Sequence, residues 1–338
     1  MNPALLEKAL AARSHLFDPA HETAFRLFNG FYEGLPELAL DLYGRTLVLH
    51  DYAERPNGDE ALARAAAEAV RGLLPWLGAV LWKVRESPSA AVRNGRILFG
   101  KPEELDRRIV ENDVRYALTL DLNRDASLYL DTRKLRAWAK ANLAGKRVLN
   151  AFAYTGSLGV AARAAPAAQV VHVDRNKAFL SVAKDSYSLN GFPIRRADFQ
   201  ASDFFEAVGR IKKEGILFDC VFLDAPFFSQ TRLGKVDLEK EADRLINKVR
   251  PLIGDGGTLV VVNNALFLPG ADWMRTLEAL SGDGFLKVEE TVPVPEDFTG
   301  YPATRVGAPP VDPSPFNHPT KIAILSVRRK DGRKAAGC

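Results

Sequence analysis

Four residues in the second half of the chain have side chains and spacing suited to holding a nucleoside. Gly156, Asp174, Asp203 and Asp224 each stand at or just after the end of a predicted strand. A carboxylate accepts hydrogen bonds and the two hydroxyls of a ribose donate them, so an acid at a strand end suits a bound nucleoside. A glycine at a helix start lets the backbone approach such a ligand closely. Together the four positions predict a nucleoside site.

Each position takes a part of this site. We expect Asp174 to bind the ribose hydroxyls, Asp203 to accept from an adenine amino group and the ring of Phe204 to stack on adenine. Simpler interpretations also exist for each residue. Gly156 suits any turn, the acids are favoured helix N-caps, and an Asp-Ala-Pro sequence at Asp224 suits the end of a strand. The combination at four strand ends favours the ligand site.

The segments that carry these residues alternate between strand and helix patterns. The strand patterns are RVLNAF, QVVHVD, PIRRAD, FDCVFLDAP, GTLVVVNN, FLKVEETVPV and TKIAILSVRR. Nearly continuous apolar strands joined by helices are typical of a doubly wound parallel sheet. The last two strands have no helix between them, so we expect them to pair antiparallel at the sheet edge. The predicted fold is α/β, with a mostly parallel, seven-stranded, Rossmann-like sheet.

The first third of the chain has a different pattern and predicts a separate small α+β domain. LALDLYG and TLVLHDY predict a hairpin that turns at residues 43–45. NGDEALARAAAEAVRGLLPW predicts a helix capped by Asn57 or Asp59. We expect residues 1–115 to form an N-terminal helix and this small domain, and residues 116–338 to form the catalytic domain.

Composition sets further bounds on the class of protein. The net charge of +4 and the pI of about 9.0 are compatible with a nucleic-acid partner but do not predict one alone. Only two cysteines occur, which favours a reducing, cytoplasmic compartment over a disulfide framework. No apolar run has the length of a membrane span, and the five histidines form no metal-binding pattern. We expect no membrane and no metal.

Four segments resemble motifs of the class I S-adenosylmethionine-dependent ribosomal-RNA methyltransferases, in the bacterial large-subunit cytosine-C5 and guanine-N7 group. They are VLNAFAYTGSLGVAA, VDRNKAFLSVAKDSYSLNG, DFFEAV and FDCVFLDAPFFSQ. FRLFNGFYEGLPELALDLYGRTLVLHDYA resembles the small domain of these enzymes, so the similarity covers most of residues 24–262. Ala225 departs from the usual Asp-Pro-Pro motif. A PUA-type RNA-binding domain is expected to be absent, with a short helix in its place.

This resemblance implies S-adenosylmethionine as cofactor, ribosomal RNA as partner and RNA docking by the N-terminal domain. It also assigns residues to the site. The implied cofactor-binding residues are Asn150, Phe152, Tyr154, Thr155, Gly156, Asp174, Asp203, Phe204 and Asp224. The implied catalytic residues are Asp224, Pro226, Phe227 and Asn263. The substrate-binding candidates are Arg133, Arg232, Phe298 and Tyr301.

The proline-rich segment 293–319 has little periodicity, and a connection of this length in a compact domain is usually functional or disordered. We expect it to fold over the substrate side of the site. Its aromatic residues Phe298, Tyr301 and Phe316 would then stack on an unpaired base, as in single-stranded RNA recognition. A passive surface loop is the alternative.

The atom that receives the methyl group depends on the cysteines. Cytosine C5 needs a thiolate that attacks C6, and Cys220 lies within a predicted strand, before Asp224. Cys338 ends a basic tail, so neither thiol is placed for this chemistry. Guanine N7 already has a lone pair and requires positioning. We therefore rank guanine N7 first and an exocyclic amine next. A small-molecule methyltransferase and a non-catalytic RNA-binding protein of this fold remain alternatives.

Overall fold

The computed structural model describes residues 3–335 and divides the chain into two compact units. The first unit runs to Asp131 and includes Pro295–Pro309. The second unit comprises Thr132–Val294 and the chain from Pro310 onward. The division therefore falls later than residue 115, and a segment from the last quarter of the chain belongs to the first unit.

The first unit is built on a five-stranded sheet in the order β1-β2-β3-β4-β5. Its strands and helices are α1 (Pro3–Ala12), β1 (Ala24–Asn29), α2 (Gly30–Glu33), β2 (Leu38–Tyr43), β3 (Thr46–Asp51), α3 (Glu60–Leu73), β4 (Ala79–Val84), α4 (Ala90–Asn94), β5 (Arg96–Phe99) and the two-stranded ribbon β6 (Arg108–Glu111) and β7 (Val114–Ala117). Among the described residues of this sheet, β3 and β4 are the one parallel pair, because α3 carries the chain between them. This confirms the predicted small α+β domain.

Two local predictions in this unit are confirmed. The β2–β3 hairpin turns at Gly44, whose φ of 60° lies in the left-handed region that a tight turn requires. Helix α3 begins after Asp59, whose side chain accepts a hydrogen bond from the Leu62 N–H at 3.0 Å. Buried alanines of α3, among them Ala63 and Ala66, then pack in one core with Leu6 and Ala9 of α1. Small side chains on both helices allow this close packing.

The second unit contains the seven-stranded sheet. Its elements are α5 (Arg133–Asn142), β8 (Arg147–Ala151), α6 (Ser157–Ala164), β9 (Gln169–Asp174), α7 (Lys177–Leu189), β10 (Phe199–Ala201), α8 (Phe204–Glu214), β11 (Phe218–Asp224), the ribbon β12 (Phe228–Gln230) and β13 (Lys235–Asp237), α9 (Ala242–Val249), β14 (Ile253–Asn263), α10 (Gly270–Ser281), β15 (Leu286–Thr291) and β16 (Lys321–Val327). The short helix α11 (Glu296–Thr299) lies in the segment that joins the first unit.

The sheet has the order β10-β9-β8-β11-β14-β16-β15. The first five of these strands are parallel, and β16 runs antiparallel between β14 and β15. The predicted α/β fold and its antiparallel end are therefore confirmed. The chain moves outward in one direction from β8 and in the other from β11, so the switch point lies between these two strands. Ligands of open parallel sheets bind at the carboxyl ends of such strands.

The third strand of the parallel series was predicted at the wrong place. PIRRAD, residues 193–198, contains no strand, because Ile194 is exposed and a short 3-10 helix spans Arg196–Asp198. The strand is Phe199–Ala201 instead. Its Phe199 ring stacks on His172 of β9 at 5.0 Å between centroids. The ribbon of β12 and β13 was not predicted from the sequence.

The segment Pro295–Pro309 packs on the first unit through buried polar contacts. The Arg13 guanidinium donates to both carboxylate oxygens of Glu33, at 2.9 and 3.0 Å, and to the carbonyl oxygen of Asp297. The Thr304 hydroxyl donates to Glu33 at 2.5 Å, and the Asn29 amide donates to the Phe298 carbonyl. These contacts attach the segment to α2, to β1 and to Arg13, the residue that follows α1.

Helix α6 packs closely on β9 because residue 159 is glycine. A Cβ there would overlap the His172 ring, coming within 2.9 Å of its Nε2 atom. We expect Gly159→Ala to lower the free energy of unfolding by about 1–3 kcal/mol through overpacking. The matched control is Gly209→Ala in α8, where a Cβ meets no atom within 4 Å. That change should stabilise the protein by about 0.5–1 kcal/mol through helix propensity. Urea unfolding measures both, and equal effects would contradict the packing argument.

Candidate functional site

The loop between β8 and α6 has an unusual backbone. Phe152, Tyr154 and Gly156 have φ angles of 56°, 50° and 78°, so two residues other than glycine adopt the left-handed conformation. Such positions cost energy and persist where surrounding contacts hold them. Here the Ala153 N–H donates to the Val173 carbonyl at 2.9 Å, which ties the loop to β9. The loop therefore has a fixed shape at the switch point.

Asp174 at the end of β9 holds this loop to the next one. Its carboxylate accepts one hydrogen bond from the Tyr154 N–H and one from the Asn176 N–H, both at 2.8 Å. Burial raises the pKa of Asp174, and these two N–H groups partly offset the rise. The side chain remains partly exposed. A carboxylate has about four acceptor positions, so capacity remains for two further donors.

Gly156 is required by the packing of the protein itself. A Cβ at this position would lie 2.6 Å from the Cβ of Ala183 and 3.1 Å from the His172 ring. The left-handed φ of 78° adds a second requirement for glycine. Helix α7 and strand β9 therefore require glycine at this position, and the close approach of its backbone to a ligand stays a prediction.

The side chain of Asn150, a predicted cofactor-binding residue, is buried within the sheet. It is 1% exposed in β8, and its amide nitrogen lies 3.4 Å from His172 Nδ1. The other ring nitrogen lies 3.0 Å from the Tyr187 hydroxyl. Burial lowers the pKa of His172 to about 3, so the ring is neutral and each nitrogen has one neighbour in this chain. Asn150 thus supports the strand beneath the loop through a core histidine.

Asp203 and Phe204 have structural roles of their own. The Asp203 carboxylate caps α8 by accepting from the Phe205 N–H at 2.8 Å. Phe204 is 5% exposed, and its ring stacks on Phe152 at 4.4 Å between centroids. The Phe152 ring is half-buried, so it extends this apolar surface toward the loop. An apolar surface beside a carboxylate remains at the strand ends.

Strand β11 ends with a set of exposed groups. Asp224 is partly exposed, Ala225 is buried, and Pro226 is exposed. Phe227 and Phe228 are 46% and 53% exposed. Aromatic rings at such exposure on adjacent residues are available to a planar ligand.

The ribbon of β12 and β13 follows these rings directly. The Lys235 ammonium lies 5.5 Å from the centre of the Phe228 ring and pairs with Asp237 at 2.8 Å. Arg232 is exposed at the turn of the ribbon. The ribbon therefore presents an exposed guanidinium eight residues after the end of β11, and the substrate-binding role of Arg232 stays a prediction.

Asn263 is placed for support rather than for contact with a base. It is fully buried at the end of β14, its amide nitrogen donates to the Leu238 carbonyl at 3.1 Å, and its oxygen accepts from the Ala265 N–H at 2.9 Å. Lys321 of β16, also fully buried, donates to the Ala265 carbonyl at 2.9 Å. Burial lowers the pKa of Lys321 to about 8. The two side chains fix the loop after β14, where Phe267 is 65% exposed.

Three aromatic residues of segment 293–319 were expected to stack on a base, and two of them are buried. Phe298 is 6% exposed, and the Arg26 guanidinium covers its ring at 4.1 Å. Phe316 is 7% exposed in the core of the second unit. Both expectations are wrong, because these rings pack inside the protein. Tyr301 is partly exposed, with the Arg13 guanidinium 5.0 Å from its ring centre.

Helix α5 contains two arginines near its start, of which Arg133 was predicted from the sequence and Arg136 was not. Arg133 is half-buried in the first turn of this helix. Arg136, one turn later, is 1% exposed and donates to the Thr132 hydroxyl at 2.9 Å. A buried arginine is rare without such partners, but nothing in its sequence context distinguishes it from the exposed basic residues nearby.

Within residues 3–335, no helix has the length and hydrophobicity of a membrane span. In that same part of the chain, His, Cys, Asp and Glu side chains form no group of three or more that is suited to a metal ion.

The strand order and the switch point are those of a doubly wound α/β protein. A family model described as S-adenosylmethionine-dependent methyltransferase matches residues 57–304. The chain belongs to this family, and its cofactor is S-adenosylmethionine.

Individual relatives are more distant. The chain is 27% identical over 295 residues to YwbD of Bacillus subtilis, a provisional ribosomal RNA large subunit methyltransferase, and the match covers 87% of this chain and 73% of YwbD. It is 30% identical over 241 residues to ribosomal RNA large subunit methyltransferase K/L of Vibrio parahaemolyticus, covering 68% of this chain but 33% of the relative. Methyltransferase I of Erwinia tasmaniensis is 29% identical, with 62% of this chain and 52% of the relative covered.

Solved structures share the fold. SMU.776, a provisional methyltransferase complexed with SAH, aligns with a TM-score of 0.81 at 21% identity, over 96% of this chain and 80% of that one. A tRNA m1G37 methyltransferase of M. jannaschii aligns with a TM-score of 0.56 at 16% identity, over 97% of this chain and 80% of that one. At these identities the likeness concerns architecture.

The residues at the switch point fit the family's cofactor in two respects. The Asp174 carboxylate is partly exposed and keeps acceptor capacity, which matches the two hydroxyl donors of a ribose. The half-buried Phe152 ring, stacked on Phe204, offers an apolar surface for an adenine. The loop residues Tyr154 and Thr155 lie in the chain between Phe152 and Asp174.

We expect Asp174→Asn to weaken cofactor binding, because an amide loses the charge and one of the two acceptor oxygens. The loss should be about 1–3 kcal/mol, as for other charge-assisted hydrogen bonds. Calorimetric titration with S-adenosylhomocysteine measures it. Asp243→Asn, a change at an exposed position of α9, is the matched control and should bind normally. Unchanged affinity in Asp174→Asn would remove the assigned role.

His172 makes stability depend on pH in a defined direction. The ring is protonated in the unfolded chain below about pH 6.5 but stays neutral in the fold down to about pH 3. The contribution of the neutral ring to the free energy of unfolding is therefore complete above pH 6.5. It is lost as the pH falls below that value, by about 1.4 kcal/mol per pH unit.

Between pH 6.5 and 4.5, the wild type should lose roughly 2 to 3 kcal/mol more unfolding free energy than His172→Gln, as measured by urea unfolding. His15→Gln, at an exposed histidine, is the matched control. Parallel pH profiles for the wild type and His172→Gln would show that the buried ring is not the cause.

Proposed function

We propose that this chain transfers a methyl group from S-adenosylmethionine to a base of ribosomal RNA. The observation that carries the proposal is the exposed Phe227 ring, three residues after Asp224, which is the partly exposed last residue of β11. The names of the similar proteins from Bacillus, Vibrio and Erwinia support ribosomal RNA as the substrate class. The bound cofactor supplies a sulfonium methyl group to an aligned nucleophile.

In this proposal the chain's own residues bind and orient the two reactants. Asp174 holds the ribose, with Asp203 and the loop from Phe152 to Gly156 around the rest of the nucleoside. Phe227 stacks on the target base, and Asp224 with the Pro226 carbonyl accepts from the N–H groups of that base. Their fixed positions at adjacent strand ends supply alignment, which contributes a large part of the rate in reactions between two bound molecules.

The position of Cys220 disfavours cytosine C5 as the methylated atom. Its thiol is fully buried in the middle of β11, and burial raises its pKa well above the usual range. A thiolate that attacks cytosine C6 must reach the substrate. Cys338 lies outside the described residues. Where the cytosine enzymes carry a cysteine-bearing segment, this chain has the buried Asn263 and the exposed Phe267.

Guanine N7 is the proposed acceptor atom, with an exocyclic or another ring nitrogen as the alternative. Methylation of N7 uses an existing lone pair and releases no proton, so it needs no general base. The lack of a general base fits this edge of the sheet. Asn263 is fully buried, and the partly exposed Asp224 can accept hydrogen bonds from the base. Positioning by Phe227 and Asp224 then accounts for the chemistry.

We expect the wild type to incorporate tritium from labelled S-adenosylmethionine into large-subunit ribosomal RNA from a strain that lacks the enzyme. Cys220→Ala should retain this activity. Phe227→Ala should lower kcat/KM by about tenfold or more, because stacking on a base contributes about 1–3 kcal/mol. Affinity for S-adenosylhomocysteine serves as the control for folding and should stay unchanged in both variants.

Mass spectrometry of the labelled nucleoside identifies the methylated atom. Absence of label in RNA would contradict the proposed substrate. Loss of activity in Cys220→Ala with normal cofactor affinity would instead support cytosine chemistry.

A further inference from the structure

The sheet of the first unit brings three strand ends to one edge. Strands β1 and β3 both run antiparallel to β2, and β4 runs parallel to β3, so β1, β3 and β4 share a direction. Their carboxyl ends therefore lie at the same edge. Phe31, Tyr52 and Arg85 each follow one of these strands within two residues.

The three side chains contact one another at this edge. The rings of Phe31 and Tyr52 meet edge to face at 4.9 Å between centroids. The Arg85 guanidinium lies 5.7 Å from the centre of the Tyr52 ring and donates to Asp125 at 2.7 Å. The Tyr129 hydroxyl donates to the same carboxylate at 3.0 Å. We call these four side chains, Phe31, Tyr52, Arg85 and Tyr129, the aromatic platform.

The platform is accessible although its members are held in place. Phe31 is 46% exposed and Tyr129 is 43% exposed, and Tyr52 and Arg85 are partly exposed. Phe31 lies in the short helix α2, where residue 30 must be glycine because a Cβ would collide with the carbonyl oxygen of Leu35. Large aromatic side chains at this exposure, fixed by neighbours, are costly to leave in water.

We infer that the aromatic platform binds unpaired bases of the substrate RNA, an inference that rests on the proposed function. Aromatic rings and an arginine plane on one surface are the groups on which single-stranded RNA stacks. Exposed cations next to the platform suit the phosphates between such bases. Arg124 is exposed beside Asp125, and Arg305 is exposed with its guanidinium 5.2 Å from the ring of Tyr32, the neighbour of Phe31.

The chemistry of the platform favours RNA over an apolar protein partner. Two of the three rings have a charged neighbour, Arg85 at Tyr52 and Asp125 at Tyr129, and the cations Arg124 and Arg305 are exposed, which suits a partner that carries phosphates. Stacking tolerates any base, so the platform contributes affinity and position rather than sequence selection.

The test uses the full chain and a fluorescent, unstructured RNA of mixed sequence, with a duplex of the same length for comparison. We expect the single strand to bind more tightly than the duplex, and Phe31→Ala combined with Tyr52→Ala to weaken it about tenfold. Leu73→Ala is the matched control. Leu73 is a 40% exposed residue of the first unit at the end of α3, which leads to the start of β4, whereas the platform follows the ends of the strands.

Ultraviolet crosslinking of the bound RNA, read by peptide mass spectrometry, should mark Phe31, Tyr52 or Tyr129. Equal affinity of the wild type and the double variant, or crosslinks confined to the second unit, would overturn the inference. So would absence of single-strand binding by the wild type. Binding at the platform without methylation of any RNA would contradict the proposed function instead. Circular dichroism and urea unfolding confirm that the double variant retains the fold of the first unit.

Discussion

The Asp174 carboxylate accepts backbone N–H groups from two loops that belong to different strand ends, and the candidate site depends on this pair of hydrogen bonds. The loop after β8 adopts left-handed angles at Phe152 and Tyr154, which a free peptide would avoid. A single, partly exposed carboxylate charge at the end of β9 therefore holds the shape of the loop and, in the proposed function, also meets the ribose. Removing that charge affects structure and binding together.

The sequence predicted the features that follow from local pattern. Apolar strands separated by helices gave the doubly wound sheet, and acids at strand ends gave Asp174 and Asp203 their positions at the switch-point edge. It did not predict which side chains point inward. Asn150 and Asn263 are polar residues at strand ends, as Asp174 is, yet they are buried against His172 and Leu238. That difference depends on pleat direction and on neighbours that are distant in sequence.

Proline-rich composition misled in a second way. Residues 293–319 look like an irregular loop, so their aromatic side chains were expected to be available to a substrate. The structure buries Phe298 beneath Arg26 and Phe316 in the core of the second unit, because contacts with residues far away in sequence order this segment. The buried Arg13–Glu33 pair and its contact with the Asp297 carbonyl could not be inferred from spacing. Long-range contacts of this kind leave no periodic signal.

The excursion of Pro295–Pro309 into the first unit has a consequence for how this protein can be divided. The chain crosses between the units at three places, after residues 131, 294 and 309. A fragment that starts at residue 132 would carry Asp297, Phe298 and Thr304 without the arginines and the glutamate that cover them. Neither unit can therefore be moved into another protein as one continuous stretch of chain. A chimera that exchanges the first unit must exchange residues 295–309 with it.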